Sequence, residues 1–166
     1  SVDYGRVIHF KLPLLKRSFE ALTKGASVMR EDFEDFCQKN SSWLTDYTLF
    51  MAIKEAQGGK VWTEWDKSIA LREPEAVRSW SAVLETEIQA QKYFQYQFFR
   101  QWGALRRYAF QRGVSIMGDL PIYVAHDSAD VWADPEMFHL GDTGSPALVA
   151  GVPPDYFSAT GQLWGN

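Results

Sequence analysis

The sequence is poor in cysteine and in long apolar runs. Cys37 is the single cysteine among 166 residues, so no internal disulfide can form and nothing requires an oxidising compartment. No apolar run approaches the ~20 residues that a membrane-spanning helix needs. Near the start, where a signal peptide would be apolar, stand Asp3, Arg6, His9 and Lys11. These features predict a cytoplasmic protein without a membrane partner.

The sequence also lacks an excess of basic residues and several catalytic motifs. Lys and Arg number 17 against 21 Asp and Glu, and this balance argues against nucleic acid as a partner, because phosphate binding depends on a basic surface. No glycine-rich phosphate loop, nucleophile elbow or His-Glu-x-x-His pattern occurs. The group His126, Asp127 and Asp130 lacks the spacing of a calcium loop, so neither a metal nor another cofactor is predicted.

Apolar and aromatic residues are plentiful. They make up 46% and 15% of the sequence, which is enough for the core of one globular domain. Most of the rings are expected in that core, because large rings contribute the most burial energy per residue. The remaining rings are expected to line a ligand surface.

The first two thirds of the sequence have the periodicity of helices. Asp3 is predicted to cap a helix that runs toward Leu22 and is bent or interrupted at Pro13. Further helices are predicted over residues 29–40, from Ser42 to the Gly58-Gly59 pair, and over residues 74–112 with a break within residues 85–91, whereas residues 60–72 are predicted to form a loop.

A short apolar run, residues 114–118, has the character of a buried strand. It follows a helix stop at Gly113 and leads to Asp119, a pattern typical of an α/β unit, in which ligands meet the carboxyl ends of the strands. A short helix over residues 128–133 and a hairpin over residues 138–150 are predicted next. Because a hairpin gives one parallel-type strand no parallel neighbours, the sequence is interpreted as part of a larger α/β protein.

Asp119 is the first candidate for a functional residue. We expect Gly118 and Pro121 to hold its carboxylate in position past the strand, where it could bind a substrate hydroxyl or a neighbouring catalytic group. The alternative is that Asp119 caps a backbone turn.

The second candidate is the C-terminal loop, defined as residues 152–166. It carries a carboxylate, two adjacent aromatic rings, an amide and an indole, namely Asp155, Tyr156, Phe157, Gln162 and Trp164. Such groups suit a sugar, whose hydroxyls need polar partners and whose C–H faces stack on rings. One alternative is a surface loop with its rings packed in the core. Another is a Pro-Pro-x-Tyr ligand for WW domains, which must be extended and exposed.

Long motifs run through most of the sequence. They are FKLPLL from residue 10, LREPEA from residue 71, FFRQW from residue 98, GDLPIYVA from residue 118, DSADVWA from residue 127, VAGVPPDYFS from residue 149 and TGQLWGN from residue 160. In these motifs the sequence resembles the amylomaltase family of 4-alpha-glucanotransferases, also called disproportionating enzymes.

The resemblance implies a (β/α)8 TIM barrel with an inserted, mostly helical subdomain. A full barrel needs about 250 residues, so the sequence is interpreted as an incomplete barrel that is predominantly α-helical with few strands. Residues 1–112 are expected to form the helical subdomain and barrel helices. Residues 113–166 are expected to form a barrel strand with active-site loops.

The resemblance also implies a reaction and roles for the candidate residues. Such enzymes transfer segments of α-1,4-glucans, such as maltodextrins, with retention, through a glycosyl ester on an Asp and with a Glu as acid/base. Asp119 matches a carboxylate that supports the active site without being its nucleophile. The loop on the acceptor side of the substrate is matched by Asp155, Tyr156, Phe157, Gln162 and Trp164.

The nucleophile and the acid/base have no counterpart among the matched residues. We therefore expect these 166 residues alone to be inactive and to self-associate through unpaired barrel surfaces. From a different functional class, the alternative is a non-catalytic carbohydrate-binding or helical interaction module.

Overall fold

The computed structural model describes residues 2–25, 28–120 and 122–165, and these residues are mostly helical. The α-helices are α1 (Tyr4–Lys24), α2 (Val28–Lys39), α3 (Ser41–Ala56), α4 (Lys67–Ala70), α5 (Pro74–Val83), α6 (Glu85–Phe110) and α7 (Ala129–Ala133). Short 3-10 helices occupy Trp62–Glu64 and Pro135–Met137, and strands β1 (Ala150–Val152) and β2 (Gln162–Gly165) form a two-stranded antiparallel sheet. The expectation of a mainly helical chain with few strands is confirmed.

Contacts divide the chain into two compact units. Unit 1 consists of residues 1–48 and 85–116, and unit 2 consists of residues 49–84 and 117–166. Each unit is therefore built from two segments that are separated in the sequence.

Unit 1 has a core of packed rings from α1, α2 and α6. Phe19, Phe33, Tyr93 and Tyr96 are buried, and Phe33 meets both tyrosines edge-on with ring centroids 6.0 and 5.6 Å apart. The Tyr93 hydroxyl lies 2.5 Å from Ser18 Oγ and accepts a hydrogen bond from Gln97 at 2.6 Å. A buried hydroxyl needs such partners, so the core is both apolar and fully hydrogen-bonded at this ring.

Helix α1 begins as the sequence predicts but continues through its proline. The Asp3 carboxylate accepts a hydrogen bond from the Arg6 amide at 3.0 Å, which confirms the predicted cap. Pro13 lies inside the helix, so the helix is not interrupted there, and the alternative of a bend at Pro13 stays a prediction. The helix continues past Pro13 because Phe19 and Leu22, farther along the same apolar stripe, are buried in the core of unit 1. Ile8, near the start of the helix, is 62% exposed.

The predicted helix ends are close to the observed ones. Gly58, Gly59 and Gly113 have φ of 67°, 82° and 69°, in the left-handed region that favours glycine at helix C-termini. The long pattern after Pro74 breaks at Leu84, between α5 and α6, one position before the predicted interval.

Unit 2 has a second core of aromatic rings. Phe50, Trp65 and Trp132 contact one another with centroids 5.3 to 5.8 Å apart, and the Trp132 indole donates to the Ile69 carbonyl at 3.1 Å. Residues 60–72 are therefore not the loop that the sequence predicts. They fold into a 3-10 helix and α4 because Trp62, Trp65 and Ile69 are buried in this core.

Residues 114–118 do not form the predicted buried strand. They have no regular secondary structure, and Val114, Ile116 and Met117 are 56%, 45% and 97% exposed. A strand requires a hydrogen-bonded neighbour, and none lies beside this segment in the described part of the chain.

The predicted hairpin over residues 138–150 is also different in the structure. Its turn is confirmed by a bridge between Leu140 and Pro146, but Ala150 belongs to β1 and pairs with β2 instead.

Two side chains of unit 1, those of Tyr47 and Cys37, have raised pKa values. Burial raises the pKa of the Tyr47 phenol, whose oxygen accepts a hydrogen bond from Gln95 at 3.2 Å. Burial also raises the pKa of the Cys37 thiol, with a smaller opposing effect from the charge of Lys92. Because the thiolate is the nucleophile, this thiol is less reactive than an exposed one.

Within the described ranges, no helix is long and apolar enough to cross a membrane.

Candidate functional site

The C-terminal loop is closed at its base by β1 and β2. Val152 pairs with Gln162 and Gly151 with Leu163, and a register shift follows Ala150. A Cβ on Gly151 would lie 2.7 Å from the Gln162 carbonyl oxygen. The two strands approach so closely at this point that only glycine fits without a backbone shift.

The tip of the loop, residues 155–158, is a hydrogen-bonded turn. Asp155 Oδ1 accepts from the backbone amides of Phe157 and Ser158 at 2.9 and 2.8 Å, and the Asp155 amide donates to the Ser158 carbonyl at 3.0 Å. This is the local pattern by which an aspartate replaces a backbone acceptor in a turn. Because residues 155–158 turn back on themselves, the extended form that a WW ligand needs is not adopted here.

Tyr156 and Phe157 are exposed at this tip. The two residues are 89% and 76% accessible, and their ring centroids lie 4.0 Å apart with the planes inclined by 34°. The alternative of rings packed in the core is therefore not what the structure shows. Two adjacent exposed rings offer an apolar surface to a ligand.

The far end of the loop carries a second aromatic pair. The Trp164 indole donates to Gln162 Oε1 at 2.9 Å, so these two candidates are brought together. The Tyr123 ring contacts Trp164 with centroids 6.1 Å apart. Sequence reasoning did not select Tyr123 as a site residue, although it stands in the motif that contains Asp119.

Asp119 does not join the other candidates. It is exposed, and within the described ranges no hydrogen bond or ion pair involves its carboxylate. The strand that was expected to precede it is not formed, and Pro121, which was expected to fix it from the other side, lies outside the described residues. Its role therefore stays a prediction.

The segment before α7 is fixed to unit 2 by polar contacts. Asp127 forms an ion pair with Lys54, His126 Nε2 donates to the Gly144 carbonyl at 2.7 Å, and Ser128 caps α7 by accepting from the Val131 amide. In the part of the chain that the structure describes, no group of His, Cys, Asp and Glu could hold a metal ion.

Unit 2 also contains a small cavity of about 150 Å³. Its walls include Trp62, Leu71, Trp132 and Leu140, and the Arg72 guanidinium lies 4.3 Å from the Trp132 ring centroid. None of the predicted site residues lines it. The candidate sugar-binding groups thus belong to an exposed loop and not to this cavity.

Comparison with known proteins extends over the whole chain. A sequence profile described as 4-alpha-glucanotransferase matches residues 1–166. A 4-alpha-glucanotransferase of Synechocystis is 54% identical over 99% of this chain, and one of Thermus thermophilus is 49% identical over 99%. The chain spans 33% of the length of each of these relatives.

A solved structure has the same fold over the same extent. The amylomaltase from Streptococcus agalactiae in complex with acarbose matches with a TM-score of 0.91 and 42% identity, over 99% of this chain and 33% of that one. A profile match across the full chain, together with this identity, is decisive. The chain belongs to the 4-alpha-glucanotransferase family.

Proposed function

We propose that the protein to which this chain belongs is a 4-alpha-glucanotransferase that moves α-1,4-glucan segments between maltodextrins. The observation that carries the proposal is the match over 99% of the chain to proteins that bear this name. The exposed rings of Tyr156 and Phe157 add support, because a glucan chain presents C–H faces that stack on aromatic surfaces. The acarbose complex of the matched amylomaltase is consistent with an α-glucan ligand.

In this proposal the reaction is a retaining double displacement within a TIM barrel. A glycosyl ester forms on an aspartate and is then transferred to the 4-hydroxyl of an acceptor sugar. Residues 1–112 would supply the helical subdomain and barrel helices, and residues 113–166 a barrel strand with active-site loops. These residues would bind and cover substrate, while the nucleophile and the acid/base would come from elsewhere in the longer protein.

The candidate residues have distinct roles in the proposal. Tyr156 and Phe157 would stack on the acceptor sugar, Gln162 and Trp164 would line the far end of the loop, and Asp119 would support the active site. Covering the acceptor side excludes water, which favours transfer over hydrolysis. A cytoplasmic location is part of the same proposal and can be checked by cell fractionation.

The test is to incubate the full-length protein with maltotriose and to separate the products by chain length. We expect glucose and longer maltodextrins from the unaltered protein, and a transfer rate about fivefold lower for Tyr156→Ala, since a lost stacking contact is worth about 1 kcal/mol. Asp119→Ala should also lower the rate, whereas the control Asp142→Ala, which alters an exposed carboxylate in a neighbouring turn, should not.

The same assay examines the 166-residue chain by itself. We expect no product from it. Transfer products from the chain alone would contradict the proposed division of roles, and hydrolysis without transfer by the full-length protein would contradict the proposed function.

A further inference from the structure

We propose that Asp155 and Ser158 are positioning residues, which hold the C-terminal loop in the conformation that presents Tyr156 and Phe157 to the acceptor sugar. This inference rests on the proposed function and changes one part of it. Sequence reasoning assigned the Asp155 carboxylate to the substrate, whereas the contacts assign it to the loop.

The Asp155 carboxylate is bonded to backbone amides of its own loop. Its Oδ1 accepts two backbone hydrogen bonds, from Phe157 at 2.9 Å and Ser158 at 2.8 Å. Hydrogen bonds from amides to a charged oxygen are the stronger kind. A sugar hydroxyl would have to displace one of these amides to reach the same oxygen.

Ser158 forms hydrogen bonds to two other positions of the loop. Its hydroxyl donates to the Gly161 carbonyl at 2.6 Å, and its own carbonyl accepts from the amides of Asp155 at 3.0 Å and Gly161 at 3.2 Å. Ser158 therefore connects the tip of the loop to the residue that leads into β2. Its side chain is partly buried, unlike the two rings beside it.

The backbone of the loop approaches itself closely at Gly161. Its φ is 75°, and a Cβ there would lie 2.6 Å from the Val152 carbonyl oxygen. The segment that leads into β2 at Gly161 thus packs directly on the segment that leaves β1 at Val152. Together with the bonds of Asp155 and Ser158, this packing fixes the backbone on both sides of the exposed rings.

A loop that is already ordered binds its ligand at a lower entropic cost. Removing the bonds that order it should weaken binding of the acceptor and leave the chemical step nearly unchanged, because no atom of Asp155 or Ser158 is assigned to the reacting bond. Such a change appears as a higher KM for the acceptor at a similar kcat.

The experiment uses the full-length protein, with maltopentaose as donor at saturation and labelled glucose as acceptor. For Ser158→Ala we expect the KM for glucose to rise about tenfold with kcat changed less than about twofold, which corresponds to the loss of one hydrogen bond. Ser158→Thr retains a hydroxyl and should restore most of the affinity. The matched control Ser145→Ala removes a hydroxyl from an exposed turn of unit 2 and should have no effect.

Asp155 provides the sharper comparison. Asp155→Asn keeps an oxygen that can accept both amides, whereas Asp155→Ala does not. We expect the KM for glucose to rise much less in Asp155→Asn than in Asp155→Ala. Exchange of the Phe157 and Ser158 amide hydrogens should be accelerated in Asp155→Ala only, and this measurement does not depend on activity.

The outcomes separate the two ideas. An unaltered protein that fails to transfer glucan would contradict the proposed function, while amide exchange would still report on the loop. An unchanged KM in Ser158→Ala, equal effects of Asp155→Asn and Asp155→Ala, or unchanged exchange in Asp155→Ala would overturn the positioning roles.

Discussion

Gly144 combines a special backbone conformation with a crowded position. Its φ is 76°, and a Cβ there would lie 2.5 Å from Cη2 of the Trp62 ring. Its carbonyl also accepts the hydrogen bond from His126. A side chain at this position would therefore push against a ring that is buried in the core of unit 2.

Comparison with Gly58 separates these two effects. Gly58 has a similar φ of 67° but no atom within 4 Å of the place where a Cβ would stand. We expect Gly58→Ala to lower the free energy of unfolding by about 1 kcal/mol through backbone strain alone. Gly144→Ala should cost about 2 to 4 kcal/mol, because overpacking adds to the strain. Urea unfolding of both variants measures the difference, and equal losses would contradict the role given to the Trp62 contact.

Residues whose role depends on near neighbours in the sequence were predictable. Asp3 caps α1 through an amide only three positions away, and Gly113 ends α6 by its own conformation. The contact of Gly144 with Trp62 could not be predicted, since it joins segments that are distant in the sequence. Nor could the turn role of Asp155, because a carboxylate in a loop suits a ligand and a backbone amide equally well.

At the scale of elements, α1 continues through a proline in its interior, Pro13. Pro13 is exposed and has no amide hydrogen to donate, and its ring crowds the preceding turn. We expect Pro13→Ala to raise the free energy of unfolding by about 1 to 3 kcal/mol, reduced somewhat by the greater freedom of the unfolded chain. The measurement is again urea unfolding, with the exposed Lys11→Ala on the same helix as the control. A loss of stability in Pro13→Ala would mean that the proline contributes a contact of its own.

Helices were predicted better than strands for a physical reason. A helix satisfies its hydrogen bonds within itself, so the pattern of residues 74–112 was sufficient to predict α5 and α6. Only the break between them lies one position before the predicted interval. A strand needs a partner that the local sequence does not specify. Residues 114–118 therefore have no regular structure, and Ala150 pairs with β2 instead of with the predicted hairpin partner.

At the scale of the whole molecule, large apolar side chains remain exposed. Phe110 is 83% accessible, Met117 97%, Leu120 86% and Ile122 83%. Single exposed apolar residues are ordinary, but several of them within residues 110–122 of the sequence are typical of side chains that another part of a protein covers. The relatives that match this chain are about three times as long, so we propose that the remaining part of the full-length protein covers these side chains.

The 166-residue chain should therefore self-associate when it is prepared alone. We expect its mass by light scattering to rise with concentration, and a dye for apolar surfaces to bind. Phe110→Lys should lower both signals, whereas Gln101→Lys, which adds the same charge to a polar position of α6, should not. A monomer at every concentration with little dye bound would contradict this expectation.

Unit 2 joins residues that leave the ribosome far apart in time. The indole of Trp132 bonds to Ile69, 63 positions earlier, and the ion pair of Lys54 and Asp127 spans 73 positions. At a synthesis rate of about 5–20 residues per second, Trp62, Trp65 and Ile69 remain without these partners for several seconds, while all of α6 is made. During synthesis the segment with Trp62, Trp65 and Ile69 is thus exposed on the nascent chain. A chaperone can bind it there before the rest of the core of unit 2 is made.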